Sequence, residues 1–244
     1  MKDGTLTKAT YCNVTQKLFY CTLKEISDKT MMFRENPMIY EVRTYRLIPR
    51  GVPEFIDKFG KAYKNRQNLS KIAAFFHTEI GPLNEVIHIW PYKNADERDK
   101  KRVRSVKEKK YTWPPKVAHL QEYMQSELFV PSPFTPTFAK GNKGPIFEWR
   151  EYQIIPGMIP ELYKSWEKAI GKRTEMSELV MAMHTDAGDL NKFVHIWSYE
   201  SLQHRAEVRA EAVNKGLWPP KGRKETLQTQ ANKIILAAPF SPLK

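Results

Sequence analysis

The chain has 244 residues, 41% of them hydrophobic and 12% aromatic, which is enough for a folded core. A formal charge of +13 suits an anionic partner and by itself says nothing about fold. Two cysteines, Cys12 and Cys21, exclude a disulfide framework, and no run approaches the roughly 20 apolar residues of a membrane-crossing helix.

Residues 1–37 read as a poorly ordered leader. With one arginine, Arg34, and four acidic residues, they fit neither an Arg-rich transit peptide nor a secretory signal. Residues 20–23, Tyr-Cys-Thr-Leu, match a short aromatic-x-x-aliphatic pattern that arises often by chance.

The run from Met38 to Ile48 alternates and is rich in β-branched and aromatic residues, which predicts a strand closed by Pro49. Pro53 and Glu54 open a helix, with Phe55, Ile56, Phe59, Ala62 and Tyr63 on one face. Residues 72–79 and 84–91 are apolar runs joined by Gly-Pro-Leu-Asn, the signature of a β-hairpin. Asn94 or Asp96 caps a second helix running to about Lys110, and Trp113-Pro114-Pro115 halts it. A last short strand is expected at residues 128–130 before Pro131, and likewise at 234–238 before Pro239.

The same pattern then returns. YEVRTY at 40–45 reappears as FEWREY at 147–152, and HTEIGPLNEVIHIW at 77–90 as HTDAGDLNKFVHIW at 184–197, both at an offset of 107. Arg98/Arg205 and Arg102/Arg209 share it, and the Trp-Pro-Pro-Lys at 113 recurs, slightly shifted, at 218. A period this long is a whole small domain rather than a solenoid unit. The chain therefore divides into a first repeat at 38–130, a Pro/Gly-rich linker at 131–145 and a second repeat at 146–244. Strand-helix-strand-strand-helix-strand is the ferredoxin-like, split βαβ order, with one open sheet face per copy. The expected fold is α+β: two tandem repeats burying those faces against each other as an intramolecular dimeric α+β barrel.

Residues 93–116 hold ten basic and four acidic residues. Because the signs interleave and no aromatic residue punctuates positions 93–110, we read a solvated helix face rather than a nucleic-acid footprint. The phosphate-loop, zinc and acyl-transfer motifs GxGxxG, HExxH, CxxC and GxSxG are absent. The candidates for chemistry are the repeated His77, His88, His184 and His195, with Arg43 and Arg150. A hairpin register setting Ile80 opposite Glu85 also sets His77 opposite His88. The sharp reading is a polar cluster with Glu79 and Asp186 that holds a metal, haem or acidic ligand inside the barrel. The plain reading is that the imidazoles fix the hairpin, Arg43 and Arg150 form ladders with Glu41 and Glu148, and no cofactor is bound. Trp113 and Trp218 are expected over the ends of the barrel.

The repeated hairpin motif, the EVRTY strand and the terminal PFSPLK together resemble the NIPSNAP family over residues 38–244. That resemblance implies the dimeric α+β barrel, a non-enzymatic protein-interaction role, and an association with mitochondria or, alternatively, the cytosol. It also implies autophagy or vesicle-trafficking factors as partners. It carries over no catalytic residue. An anionic membrane surface at residues 93–116 and a second copy of the chain remain open as further partners. The alternative function is a small-ligand, haem- or metal-binding barrel, enzyme or carrier, using the repeated histidines.

Overall fold

A computed structural model describes residues 38–136, 141–222 and 225–244. The expectations for the leader, its cysteines and residues 20–23 lie outside the described residues. Among the described residues eight strands are present: β1 (Ile39–Leu47), β2 (Ala74–Ile80), β3 (Glu85–Tyr92), β4 (Gln121–Pro131), β5 (Ile146–Ile154), β6 (Leu179–Ala187), β7 (Lys192–Tyr199) and β8 (Leu227–Ala237). Four α-helices accompany them, α1 (Val52–Arg66), α2 (Ala95–Lys107), α3 (Ile159–Thr174) and α4 (Leu202–Asn214), with two short 3-10 helices at Lys109–Tyr111 and Ala118–Leu120.

The strands close into one barrel in the order β1-β3-β2-β8-β5-β7-β6-β4, every neighbour antiparallel. Each copy contributes four strands in ferredoxin-like order. The copies join at two seams, β2 with β8 and β4 with β6. Closure removes the free edges that an isolated four-stranded sheet would expose.

Side-chain alternation divides the molecule into three apolar layers. One face of each strand points into the barrel, where Phe76, Ile87 and Phe129 of the first copy meet Phe147, Met183 and Ile196 of the second. All six are fully buried, and each contributes about 1.5–3 kcal/mol by leaving water. The opposite face of the first copy packs under α1 through Phe55, Phe59 and Tyr63. The second copy repeats this layer with Leu162 and Trp166 of α3. The C-terminal tail after β8 carries Phe240 onto Phe59 and Phe75 of the first copy, at ring separations of 5.7 and 5.0 Å. Gly60 makes room for it, since a Cβ there would stand 2.7 Å from the Phe240 ring. The segment after β4 carries Phe134 onto Trp166 of the second copy at 5.4 Å. Each copy thus helps to complete the other.

The structure corrects three expectations. The hairpin register is Phe75 with His88 and His77 with Val86, so His77 does not face His88. Beyond His77, β2 leaves β3 and pairs onward with β8 across a bulge, and left-handed Gly81 and Asn84 widen the turn. The slip is two residues, so the side chains keep their faces. The fourth strands are far longer than residues 128–130 or 234–238. Residues 121–126 pair with β1 alone and are largely solvated, which hides their strand character from a hydrophobic pattern. Trp113 covers the layer between helix and sheet and not an end of the barrel, standing 5.1 Å from Phe59 and 5.8 Å from Trp90.

Candidate functional site

The layer between α1, α2 and the outer sheet face of the first copy contains a cavity of about 310 Å³. Its floor is β1 and β3, which present Arg43, Tyr45, His88 and Trp90 by alternation. α1 contributes Phe59 and Arg66, α2 contributes Arg102 and Ser105, and Trp113 and Pro114 close one side.

Beneath α2 lies a fully buried carboxylate, Glu41. Arg43 donates to it at 2.8 Å, Arg98 at 2.8 Å, Arg102 at 3.3 Å and the Ser126 hydroxyl at 2.8 Å. Arg98 and Arg102 are four apart on α2 and so share a face. Burial alone would raise the pKa of Glu41; the charge of Arg102 and the bonds from Arg98 and its neighbours outweigh it and hold the group at about 2. The second copy repeats the arrangement, with Glu148 bound by Arg150, Arg205 and Asn232. Arg43 and Arg150, the candidate anchors, are thus spent in ladders. Each also donates through Nε to a tyrosine hydroxyl, Tyr45 at 2.6 Å and Tyr152 at 2.9 Å.

His88 and His195 lie in the layers under the helices, outside the barrel interior. Trp90 Nε1 donates to His88 Nδ1 at 2.6 Å, and Trp197 Nε1 to His195 Nδ1 at 2.7 Å. An accepting Nδ1 places the proton of the neutral ring on Nε2, which has no partner among the described residues in either copy. Burial first, then the charges of Arg43 and Arg102, push His88 down to about 3; burial likewise pushes His195 down. Both rings are neutral at physiological pH. His77 and His184 are half-buried on β2 and β6, and burial lowers both. His184 Nδ1 meets the Tyr163 hydroxyl at 2.6 Å. Glu79 and Asp186 are exposed, so the polar cluster expected inside the barrel does not assemble. Among the described residues no three His, Cys, Asp or Glu side chains converge as metal ligands would.

Sequence reasoning missed Arg66. It is only 2% exposed, forms no ion pair among the described residues, and leaves Nε and Nη1 without hydrogen-bond partners. Burial lowers its pKa, and the neighbouring Tyr92 hydroxyl offsets part of that. Its guanidinium lies 4.9 Å from the Trp90 ring and 5.6 Å from that of Trp113. The signal that could have found it is Arg173 at the same offset of 107. Arg173 is equally buried, yet it donates to the Ser177 hydroxyl at 2.8 Å and the Tyr199 hydroxyl at 3.0 Å. Trp166 replaces Phe59 in that copy, and the cavity beside Trp166 reaches neither Arg173 nor His195.

The family profile of NIPSNAP matches residues 40–136 and 147–242, one copy on each repeat. The chain belongs to the NIPSNAP family. It is 26% identical over 223 residues to a protein NipSnap homolog of Dictyostelium discoideum, covering 89% of this chain and 92% of that one. It is 29% identical to human protein NipSnap homolog 3B, covering 84% and 85%. A crystal structure of a putative monooxygenase from Lactobacillus acidophilus superposes with a TM-score of 0.56 at 11% identity, over 83% of this chain and 94% of that one. That similarity concerns the fold alone.

Proposed function

We propose that this NIPSNAP chain is a non-enzymatic protein-interaction module associated with mitochondria, and that its partners are autophagy or vesicle-trafficking factors. The observation that carries the non-enzymatic part is the destination of the candidate groups. The barrel interior is filled with apolar side chains, and His88, His195, Arg43 and Arg150 are bound within the layers under the helices. Such groups hold a scaffold together and leave no nucleophile-base pair at a shared opening. The mitochondrial and trafficking part rests on membership of the family.

Proximity labelling with the tagged full chain in eukaryotic cells tests the reading, with a tag-only control. Enrichment of mitochondrial and autophagy proteins is the expected result. Diffuse cytosolic labelling would overturn the association, and one-to-one haem or zinc uptake by the purified chain would overturn the non-enzymatic reading.

A further inference from the structure

The two copies descend from one unit, yet they treat the same buried arginine differently. Arg173 is bonded to Ser177 and Tyr199; Arg66 keeps the bond to Tyr92, the counterpart of Tyr199, but among the described residues its Nε and Nη1 have no acceptor, and it lines open volume. Buried N–H groups of a cation that lack acceptors are costly, and native proteins retain them where water, an ion or a bound ligand completes the set or where the group serves a function. The volume beside Arg66 is also charged in one sense. Three arginines, Arg43, Arg66 and Arg102, line it with no acidic side chain among the described residues, and the Glu41 carboxylate behind them is already shared with Arg98. The rest of the wall is mainly aromatic and aliphatic, including Phe55, Phe59, Trp90 and Trp113. At about 310 Å³ it sits at the lower end of the range that holds small organic ligands.

We propose that this cavity binds a small organic monocarboxylate with an apolar body, its carboxylate held by Arg66 and its body packed among Phe59, Trp90 and Trp113. A carboxylate brings two acceptor oxygens to the two unsatisfied nitrogens, and the bond is charge-assisted. The His88 Nε2–H is a further unpartnered donor on the wall, but His195 shares that property, so Arg66 is what distinguishes this copy. The second copy is the built-in control: Arg173 reaches both Ser177 and Tyr199, whereas of their first-copy counterparts Tyr92 is bonded to Arg66 and the Ser70 hydroxyl is not.

The test is isothermal titration of the full-length chain with 2-naphthoate, decanoate and neutral 2-naphthamide. Saturable one-to-one binding of at least one carboxylate is expected, with the amide at least about tenfold weaker than 2-naphthoate where the aromatic acid binds. Arg66→Met should weaken the carboxylate by about tenfold or more, whereas Arg173→Met should leave it unchanged. Val106 is exposed at the rim, so Val106→Trp is expected to keep the fold and obstruct the cavity, abolishing binding even if Arg66→Met is poorly folded. Absence of saturable binding by the unmodified chain would overturn the proposal, as would full affinity in a folded Arg66→Met or Val106→Trp variant.

Discussion

Glu41 and His88 stand on adjacent strands in one copy, and both tie stability to pH in the same direction. The folded chain holds Glu41 at about 2, below the ordinary carboxylate value. Its contribution is therefore complete above pH 4.5 and is lost as the pH falls towards 2, in total about 3 kcal/mol. His88 is held at about 3, so the unfolded chain takes up its proton first as the pH drops below 6.5. Stability should decline in two overlapping steps, one from about pH 6.5 and one from about pH 4.5. Urea titrations at half-unit pH intervals would show this. His88→Ala should cost about 1–3 kcal/mol at pH 7, because it strands the Trp90 indole N–H and leaves a cavity, and should make the first step shallower, the lowered His195 supplying much of the remainder. An unchanged slope between pH 6.5 and 5 in that variant would rule out the histidine as its source. The two buried arginines should also separate at this scale. Arg66→Met removes an incompletely satisfied charge and should leave stability within about 1 kcal/mol, or raise it. Arg173→Met strands the Ser177 and Tyr199 hydroxyls and should cost about 2–3 kcal/mol.

Among the elements, α2 departs furthest from an ordinary amphipathic helix. Its only buried residue is Ser105, while Val103 and Val106 are exposed. Arg98 and Arg102 instead hold it to the sheet through Glu41. On its outer side Lys100 pairs with Asp96, Lys101 with Glu97 and Arg104 with Glu108, and Asn94 caps its start. A hydrophobic pattern finds α1 readily, because Phe55, Phe59 and Tyr63 mark one stripe. It finds α2 only through Asn94 and the Trp-Pro-Pro stop. The strand-helix order and the closed barrel were legible because alternation and the repeat are local signals. The hairpin slip at His77, the solvated halves of β4 and β8, and the cavity at Arg66 were not, since each depends on a strand or helix distant in sequence. The exchanged tails belong to this second class. Phe240→Ala, though it lies in the second copy, should cost about 2–4 kcal/mol and speed hydrogen exchange in α1. Faster exchange confined to α3 would show that the tail serves its own copy.

At the scale of the whole molecule, the two seams carry ion pairs of reversed sense, one partly and one almost fully buried. At one seam Lys233 of β8 bonds Glu85 of the first hairpin at 2.6 Å. At the other, Glu127 of β4 bonds Lys192 of the second hairpin at 2.8 Å, both side chains nearly inaccessible. Lys233 and Glu127 occupy corresponding places, as do Glu85 and Lys192. If two first copies associated with each other, each seam would set Glu127 against Glu85. Two second copies would set Lys233 against Lys192. Either arrangement removes both ion pairs and sets like charges together, at up to about 3–5 kcal/mol where the groups are buried as at Glu127 and less where they are partly solvated as at Glu85. Only the mixed pairing satisfies both seams, so the charges select the intramolecular barrel over dimers of like copies. Residues 38–136 and 141–244 expressed as separate chains should accordingly recover a one-to-one heterodimer when mixed. Residues 38–136 alone should be monomeric or aggregated by analytical ultracentrifugation, since the open apolar face has no matching cover. Glu127→Lys in that fragment should convert it into a defined dimer, because the introduced ammonium at each seam then meets Glu85 of the facing fragment as Lys233 does in the intact chain. Equal dimerisation of the unaltered and altered fragments would mean that apolar closure alone chooses the pairing and that the reversed charges play no part.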